Sequence, residues 1–273
     1  MGAALRTEYR KLVTTRLWWV LLLVMVVYMA FLSAVMAWAV SQGAGTGPAV
    51  PGGPGGAEGG LDPSGVVRTV YTIAVTFGYA FPLVVGTLAV TTEFRHRTVT
   101  PTFLLEPRRD VVLVAKLVVG AAAGVLFGVV GTAASAGTGA LVLGLLGEPT
   151  GLDDAGTWGT LALSALALAV WAVVGVALGT VLTNQVAAVV VILAFTQFLE
   201  PVLRVVLGLT SWGQDVARYL PGAAGEAISG GSFYSEAAGV PLLPAWQGLL
   251  VLLGYAVVLA ALGRLTTLRR DVG

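Results

Sequence analysis

Glu200 and Arg204 are two ionisable residues within a long stretch of the chain that is otherwise apolar. A charged side chain at membrane depth is costly unless it is paired or lines a polar cavity. The four-residue spacing puts both side chains on one face of a helix, where they can form an ion pair across Pro201. If the helix breaks at Pro201 instead, both side chains lie near the outer surface. The sequence leaves these two arrangements open.

Residues that usually carry catalysis or bind metals are few in this chain. There is no cysteine and a single histidine, His96, which excludes thiolate metal sites, cysteine nucleophiles and His-Glu-x-x-His zinc sites. The two lysines, Lys11 and Lys116, do not follow glycine, and no Gly-x-x-x-x-Gly-Lys-Ser/Thr phosphate loop or Gly-x-Ser-x-Gly elbow occurs. We therefore expect neither an enzyme nor a cofactor on this chain, and we interpret His96 as a polar loop residue.

The composition is that of a membrane protein, because 57% of the 273 residues are hydrophobic and only 11% are charged. A helix crosses the hydrocarbon core with about 20 apolar residues. By this measure the sequence predicts an all-α fold with six membrane-spanning helices in one domain over residues 1–273. The predicted spans are Leu17–Val40, Val66–Val90, Val111–Leu146, Trp158–Leu182, Val186–Leu207 and Ala245–Leu265.

Positive charge is concentrated in three segments, which precede the first span, join spans two and three, and follow the last span. These segments hold twelve of the 15 lysines and arginines. Such segments lie on the cytoplasmic side of a membrane. We therefore expect a multi-pass membrane protein with both termini in the cytoplasm. The net charge of +1 does not indicate a nucleic-acid partner.

Residues 1–16 have the pattern of an amphipathic helix on the inner leaflet. One face would carry Leu5, Tyr9, Leu12 and Val13, and the other would carry Arg6, Glu8, Arg10 and Lys11. A plain positively charged anchor explains these residues equally well. The apolar run that follows ends in Ala37-Trp38-Ala39, as a signal peptide does, but it is too long for a signal core, so we expect an uncleaved first span.

Two further segments are predicted on the outer side. Residues 41–65 contain ten glycines and four prolines, which predicts a flexible loop. Residues 208–244 mix apolar runs with glycine and proline and are too short for two more spans. We interpret them as a partly re-entrant region protected by the rest of the protein.

The connection over residues 92–110 predicts a short helix. Thr100 can cap it with Pro101 at the first helical position, and Pro107 ends it. This helix would display Phe103-Leu104-Leu105 to a partner, after which Asp110 can cap the third span. A solvated basic loop is the alternative, although three consecutive bulky apolar residues argue against it.

Small residues at four-residue spacing predict close helix packing within the membrane. They are Gly120, Gly124 and Gly128, then Gly131, Ser135 and Gly139 in the third span, and Gly175 and Gly179 in the fourth. Pro82 predicts a kink in the second span beside the aromatic residues Phe77, Tyr79 and Phe81.

Taken together, these residues resemble the permease subunits of type 2 ATP-binding-cassette exporters, known as ABC-2 type permeases. The lead-in to the first helix resembles the family in Glu8-Tyr9-Arg10-Lys11-Leu12 and Thr15-Arg16. The connection between spans two and three resembles it in Glu93, Arg97-Thr98, Leu104-Leu105, Pro107-Arg108-Arg109 and Lys116. The family usually has glycine before the threonine that is Thr98 here, whereas this chain has Arg97.

The resemblance implies two permease subunits, identical or paralogous, driven by two separate ATPase subunits that carry the ATP and magnesium. The connection would hold the coupling helix that sits on the ATPase, and its contact residues would be Glu93, Phe94, Arg95, Arg97, Thr98, Phe103, Leu104, Leu105, Pro107 and Arg108. A substrate cavity between the two permeases would be lined by Phe77, Phe81, Phe195, Gln197 and Phe198. The exported substrate would be a drug, peptide, lipid or other amphipath.

Two other functions fit the sequence. An ion-coupled secondary transporter would need an intramembrane carboxylate, for which Glu200 is the candidate. A membrane subunit that acts as a scaffold or sensor would transport nothing.

Overall fold

The structure is a computed structural model that describes residues 1–42, 63–231 and 242–267. These residues form helices and no strands. Six helical stretches are long and apolar enough to cross a membrane, which confirms the predicted number of spans. They are Leu17–Ser41, Ser64–Arg95, Arg109–Leu145, Ala155–Val181, Gln185–Gly208 and Ala245–Thr266.

The described residues contain thirteen α-helices and one π-helical turn. They are α1 Gly2–Thr14, α2 Leu17–Ser41, α3 Pro63–Tyr71, α4 Ile73–Phe77, α5 Ala80–Arg95, α6 Val99–Leu105, α7 Arg109–Leu145, α8 Ala155–Val181, α9 Gln185–Ala194, the π-helical turn Phe195–Leu199, α10 Glu200–Gly208, α11 Ser211–Ala217, α12 Pro221–Ser229 and α13 Ala245–Thr266. The first span is α2, the second consists of α3, α4 and α5, the third is α7 and the fourth is α8. The fifth consists of α9, the π-helical turn and α10, and the sixth is α13.

The central helix is α8, which packs against α5, α7, α12 and α13. The small residues predicted to allow close packing lie at these contacts. A Cβ atom on Gly124 of α7 would lie 2.7 Å from the Ala169 carbonyl oxygen, and one on Gly179 would lie 2.8 Å from the Thr87 carbonyl oxygen. Both distances are too short for a real side chain, so the helix backbones touch directly. The glycine pattern therefore positions α8 between α5 and α7.

A second set of small residues joins α7 to α2 and α3. Gly131 faces Met25, and the Ser33 hydroxyl donates to the Ser135 carbonyl oxygen at 2.7 Å. The Ser135 hydroxyl donates in turn to the carbonyl oxygen of Val70 in α3 at 3.3 Å. These buried hydroxyl groups are thus satisfied between helices, as a membrane interior requires.

The second span is interrupted before Pro82 rather than at it. Helix α4 ends at Phe77 and α5 begins at Ala80, which leaves Gly78 at the break. A proline ring clashes with the carbonyl group four residues earlier, and for Pro82 that is the carbonyl of Gly78. The Tyr79 ring beside the break stacks on Trp171 of α8, with centroids 4.6 Å apart.

We call one end of the bundle the basic end, where α1, α6 and the first turn of α7 meet the last turns of α5 and α13. Asp110 in α7 lies there and forms an ion pair with Arg264 in α13, at 2.6 Å between Oδ1 and Nε. The expectation that Asp110 caps α7 is wrong, because no side chain caps this helix and the arginine engages both carboxylate oxygens.

The two predicted outer segments are described in part. The loop predicted over residues 41–65 lies outside the described residues from 43 to 62. Within residues 208–244, which are not described from 232 to 241, α12 is buried from Gly222 to Ser229. It packs on α8 and α13, so this part of the segment is enclosed by protein.

Candidate functional site at the basic end

The short helix predicted after the second span is present as α6. It begins at Val99 with Thr98 in the capping position, two residues earlier than predicted, and Thr98 makes no side-chain capping bond. Pro101 therefore occupies the third helical position. Proline is tolerated there because the first turn of a helix needs no backbone N–H donors. The helix ends before Pro107, as predicted.

The surface of α6 is less apolar than its sequence indicates. Leu104 is 78% exposed. Phe103 is half-buried, and the Arg109 guanidinium lies over its ring, 5.2 Å from the centroid. The side chain of Leu105 lies outside the described part of the structure. Among the described apolar side chains of α6, Leu104 is therefore the exposed one.

Four charged side chains meet beneath α6, and we call them the lysine–glutamate network. The Lys116 ammonium of α7 lies 2.7 Å from Glu8 Oε2 and 2.5 Å from Glu93 Oε1. The Lys11 ammonium lies 2.8 Å from Glu8 Oε1 and 2.8 Å from Glu93 Oε1. Lys11 also donates to the Thr102 hydroxyl at 3.1 Å. The network therefore connects α1, α5, α6 and α7.

Three members of the network are almost entirely buried. Glu8 and Glu93 are each 6% exposed and Lys116 is 7% exposed. Two ammonium groups balance two carboxylates, so the network is electrically neutral. Neutrality and hydrogen bonding are what make a buried charge cluster tolerable. Burial lowers the pKa of Lys11, but hydrogen bonds and attraction from Glu8 and Glu93 outweigh this and leave it above its ordinary value.

Helix α1 turns a charged face inward. The periodicity placed Glu8 and Lys11 on the face opposite the apolar residues, yet Glu8 is the buried residue of the helix, whereas Tyr9 is 58% exposed. The reason is that α5 and α7 supply charge partners for Glu8 and Lys11. Amphipathicity alone carries no information about such partners.

Apart from Phe103 and Leu105, the predicted coupling residues divide into two groups. Glu93 belongs to the lysine–glutamate network and Phe94 is half-buried, so both face the protein. The second group is exposed around α6 and consists of Arg95, Arg97, Thr98, Leu104, Pro107 and Arg108. The exposed group around α6 therefore lies beside the buried Glu93.

Arg97 adopts a left-handed backbone conformation with φ of 55°. Non-glycine residues rarely adopt positive φ because Cβ approaches the following carbonyl oxygen. The turn between α5 and α6 thus requires a conformation that glycine adopts without strain.

A second charged cluster surrounds Glu200, and we call it the arginine clamp. Arg204 binds Glu200 Oε1 at 2.8 Å and Glu226 Oε2 at 2.9 Å. The backbone N–H groups of Gly222 and Ala223 each donate to the Glu200 carboxylate at 3.0 Å. Of the two arrangements left open by the sequence, the structure has the ion pair. It also holds the beginning of α12 against α10.

The residues predicted to line a substrate cavity lie apart from the network. Phe77 and Phe81 are half-buried against the core, and Phe81 faces Tyr28 with ring centroids 5.8 Å apart. Phe195 and Gln197 are half-buried, and Phe198 is 75% exposed. A cavity between two permease subunits cannot form within one chain, so this assignment stays a prediction.

Sequence reasoning missed the lysine–glutamate network and the part that Glu226 takes in the arginine clamp. A compositional signal was present for the network, since Lys11 and Lys116 are the chain's two lysines among 15 basic residues. For Glu226 the signal was a single acid in the apolar stretch Pro221–Ser229. No family model matches the chain, and no curated protein shows significant sequence similarity to it.

Proposed function

We propose that this chain is the membrane-spanning permease subunit of an ATP-binding-cassette exporter in a bacterial plasma membrane. It would pair with a second permease and be driven by separate ATPase subunits at the basic end. The observation that supports this most is the contact of α6 with the lysine–glutamate network. A short exposed helix is fixed to the ends of two candidate membrane spans.

The network gives a displacement of α6 a path into the bundle. The Thr102 hydroxyl contacts Lys11, which binds Glu8 and Glu93, and both carboxylates bind Lys116 in α7. Because these contacts are short and largely buried, α1, α6 and the ends of α5 and α7 would move as one unit. An ATPase that pushed on Leu104 would therefore move the second and third spans together.

The packing of α7 extends this path beyond the basic end. Helix α7 is 37 residues long, about 55 Å at 1.5 Å per residue, and its glycines contact α8 directly. Close-packed interfaces transmit displacement because they are not continuously deformable. A tilt of α7 would therefore change the position of α8 at the centre of the bundle.

The arginine clamp gives less support to an ion-coupled transporter. A coupling carboxylate must exchange its ion or proton during transport, whereas Glu200 is 1% exposed and held by Arg204 and two backbone N–H groups. This arrangement is suited to holding α12 in place. Transport that is lost in Glu200→Gln without any ATPase partner would favour the ion-coupled alternative.

The chain's lack of cysteine allows a direct test by single-thiol cross-linking. Leu104→Cys places one exposed thiol on α6, and Leu145→Cys places a matched one at the other end of α7, where Leu145 is 80% exposed. In native membranes we expect a short thiol–amine cross-linker to join Leu104→Cys, but not Leu145→Cys, to a protein with an ATP-binding-cassette phosphate loop. Adding ATP with vanadate should change the yield of the Leu104→Cys cross-link.

Two results would contradict the proposal. One is labelling of Leu104→Cys by an impermeant thiol reagent on intact cells, because α6 would then face the outside. The other is equal cross-linking of both variants to the same proteins, which would mean that α6 has no specific ATPase contact.

A further inference from the structure

A pocket of about 720 Å³ opens beside the lysine–glutamate network. It lies between α1 and α2 on one side and α5 and α7 on the other, and it reaches Gln185 at the start of α9. Its volume is within the range of roughly 300 to 1,000 Å³ that is usual for sites that bind small molecules. Neither the network nor the proposed coupling role requires an open space here.

Much of the pocket wall is apolar and includes Leu12, Leu17, Leu21, Val85, Leu88 and Val119. Between Glu93 of the lysine–glutamate network and Val85, both of which line the pocket, α5 extends eight residues, or about 12 Å. The pocket therefore runs from the charged end of the bundle into the region of the apolar spans. Such a shape fits a flexible hydrocarbon chain rather than a compact polar molecule.

The end of the pocket beside the exposed residues Arg95 and His96, which we call its mouth, carries surplus positive charge. The four members of the network also line the pocket, but their charges cancel. Among the described residues the Arg95 guanidinium contacts the Gln185 side-chain oxygen at 3.3 Å and no carboxylate. Its charge is therefore available to an anionic group at the mouth, where an arginine can bind phosphate oxygens through several N–H donors.

The pocket is also placed where lipid can reach it. Leu17, Trp18 and Leu21 belong to the first turns of α2, a candidate membrane span of which only 22% is buried within the protein. An amphipathic molecule in the adjoining leaflet would meet an apolar cleft with a cation at its entrance. This arrangement matches a phospholipid with one acyl chain inside and its phosphate at Arg95.

We propose that this pocket is a binding site for one anionic phospholipid of the leaflet next to α1. The inference does not depend on an ATPase partner. Occupancy would fill the space between α1 and the spans and stabilise the position of the lysine–glutamate network.

The direct test is native mass spectrometry of the full chain, purified in detergent and stripped of lipid. Phosphatidylglycerol and phosphatidylcholine are added at equal concentrations. We expect one tightly held phosphatidylglycerol, because the two lipids have similar chains and differ in net charge. Soluble glycerol phosphate should not displace it, because the acyl chain contributes most of the binding.

Matched variants locate the site. Arg95→Gln should weaken phosphatidylglycerol binding roughly fivefold, the equivalent of about 1 kcal/mol for one basic residue near lipid phosphate, whereas Arg10→Gln on the exposed face of α1 should not. Val119→Trp fills the pocket and should remove the bound lipid. Its control is Val118→Trp on the neighbouring exposed position, which does not line the pocket.

The outcomes separate the possible occupants. Equal binding of both lipids, unchanged in Arg95→Gln, would overturn the anionic specificity. Lipid retained in Val119→Trp with normal elution on size exclusion would overturn the location. Displacement by glycerol phosphate would indicate a site for a free phosphate group and would overturn the lipid proposal.

Discussion

The lysine–glutamate network and the arginine clamp each bury two carboxylates, but they balance the charge differently. The network opposes Glu8 and Glu93 with two lysines. The clamp opposes Glu200 and Glu226 with Arg204, and backbone N–H groups at the start of α12 supply further donors to Glu200. A helix N-terminus carries partial positive charge, so the start of α12 helps to balance the carboxylate of Glu200 and with it the clamp's second negative charge.

The two clusters also differ in what they connect. The clamp joins residues four and 22 positions apart and so holds neighbouring parts of the chain. The network joins residues 82 and 108 positions apart. A guanidinium fixes its partners through a rigid fork, whereas an ammonium on a flexible stem can shift between neighbouring acceptors. We therefore expect the clamp to hold α10 and α12 in one position, and the network to keep its contacts while α1 and α6 move together with the ends of α5 and α7.

Removing the clamp's cation should have the largest effect. Arg204→Leu leaves two carboxylates in the bundle without the guanidinium between them, and losing one partner of a buried ion pair costs about 3 to 5 kcal/mol. The free energy of unfolding, measured by sodium dodecyl sulfate titration in mixed micelles, should fall by that amount.

Arg218→Leu is the control, because its ion pair with the exposed Asp215 lies at the protein surface, where such pairs contribute about 1 kcal/mol or less. If Arg204→Leu lowers the free energy of unfolding no more than Arg218→Leu does, the clamp does not stabilise the fold as expected.

Removing one lysine from the network should cost less, because the other remains. Lys116→Met should lower the free energy of unfolding by about 2 to 3 kcal/mol, and Lys11→Met, whose side chain is 34% exposed, by about 1 kcal/mol.

A double-mutant cycle of Glu8→Gln with Lys116→Met sharpens this comparison. Groups in direct contact show coupling of about 0.5 to 3 kcal/mol. Strictly additive losses would contradict the ion pair between α1 and α7 and with it the connection of α1 to the bundle.

The smallest effect should come from the turn above the network. Arg97 has a positive φ. The residue that follows α12 also has a positive φ, 81°, but it is Gly230, which has no Cβ atom to strain the backbone. Arg97→Gly should therefore raise the free energy of unfolding by about 0.5 kcal/mol. Arg97→Ala keeps the Cβ atom and should give no gain, so equal stabilisation by alanine would assign the effect to charge rather than backbone conformation.

The secondary structure was largely predictable because its signals are local. The predicted spans Leu17–Val40 and Ala245–Leu265 differ from the observed helices by one residue at the C-terminal end. The sequence predicts the start of α6 two residues late, because Thr100 has the residue type of a cap whereas the chain enters the helix directly after the turn at Arg97.

The candidate site was predictable only as a set of residue types. The sequence singled out Glu93, Lys116 and residues 8–12 as features of a family resemblance, but it gave no reason to place Glu8 beside Lys116. It likewise left open whether Glu200 and Arg204 pair on one helix face or lie near the outer surface. A buried ion pair is favourable only with its partners in contact, and contact depends on how distant helices pack.

Six apolar helices of a membrane protein can be inferred from the amino-acid sequence alone, because the length and polarity of a run govern whether it can cross a bilayer. The glycines at regular spacing likewise indicate where helices approach closely. The inward charges of α1 and the pocket beside them become visible only in the folded chain. Both follow from the packing of α1 on α5 and α7, whose contacts join residues about 80 to 110 positions apart.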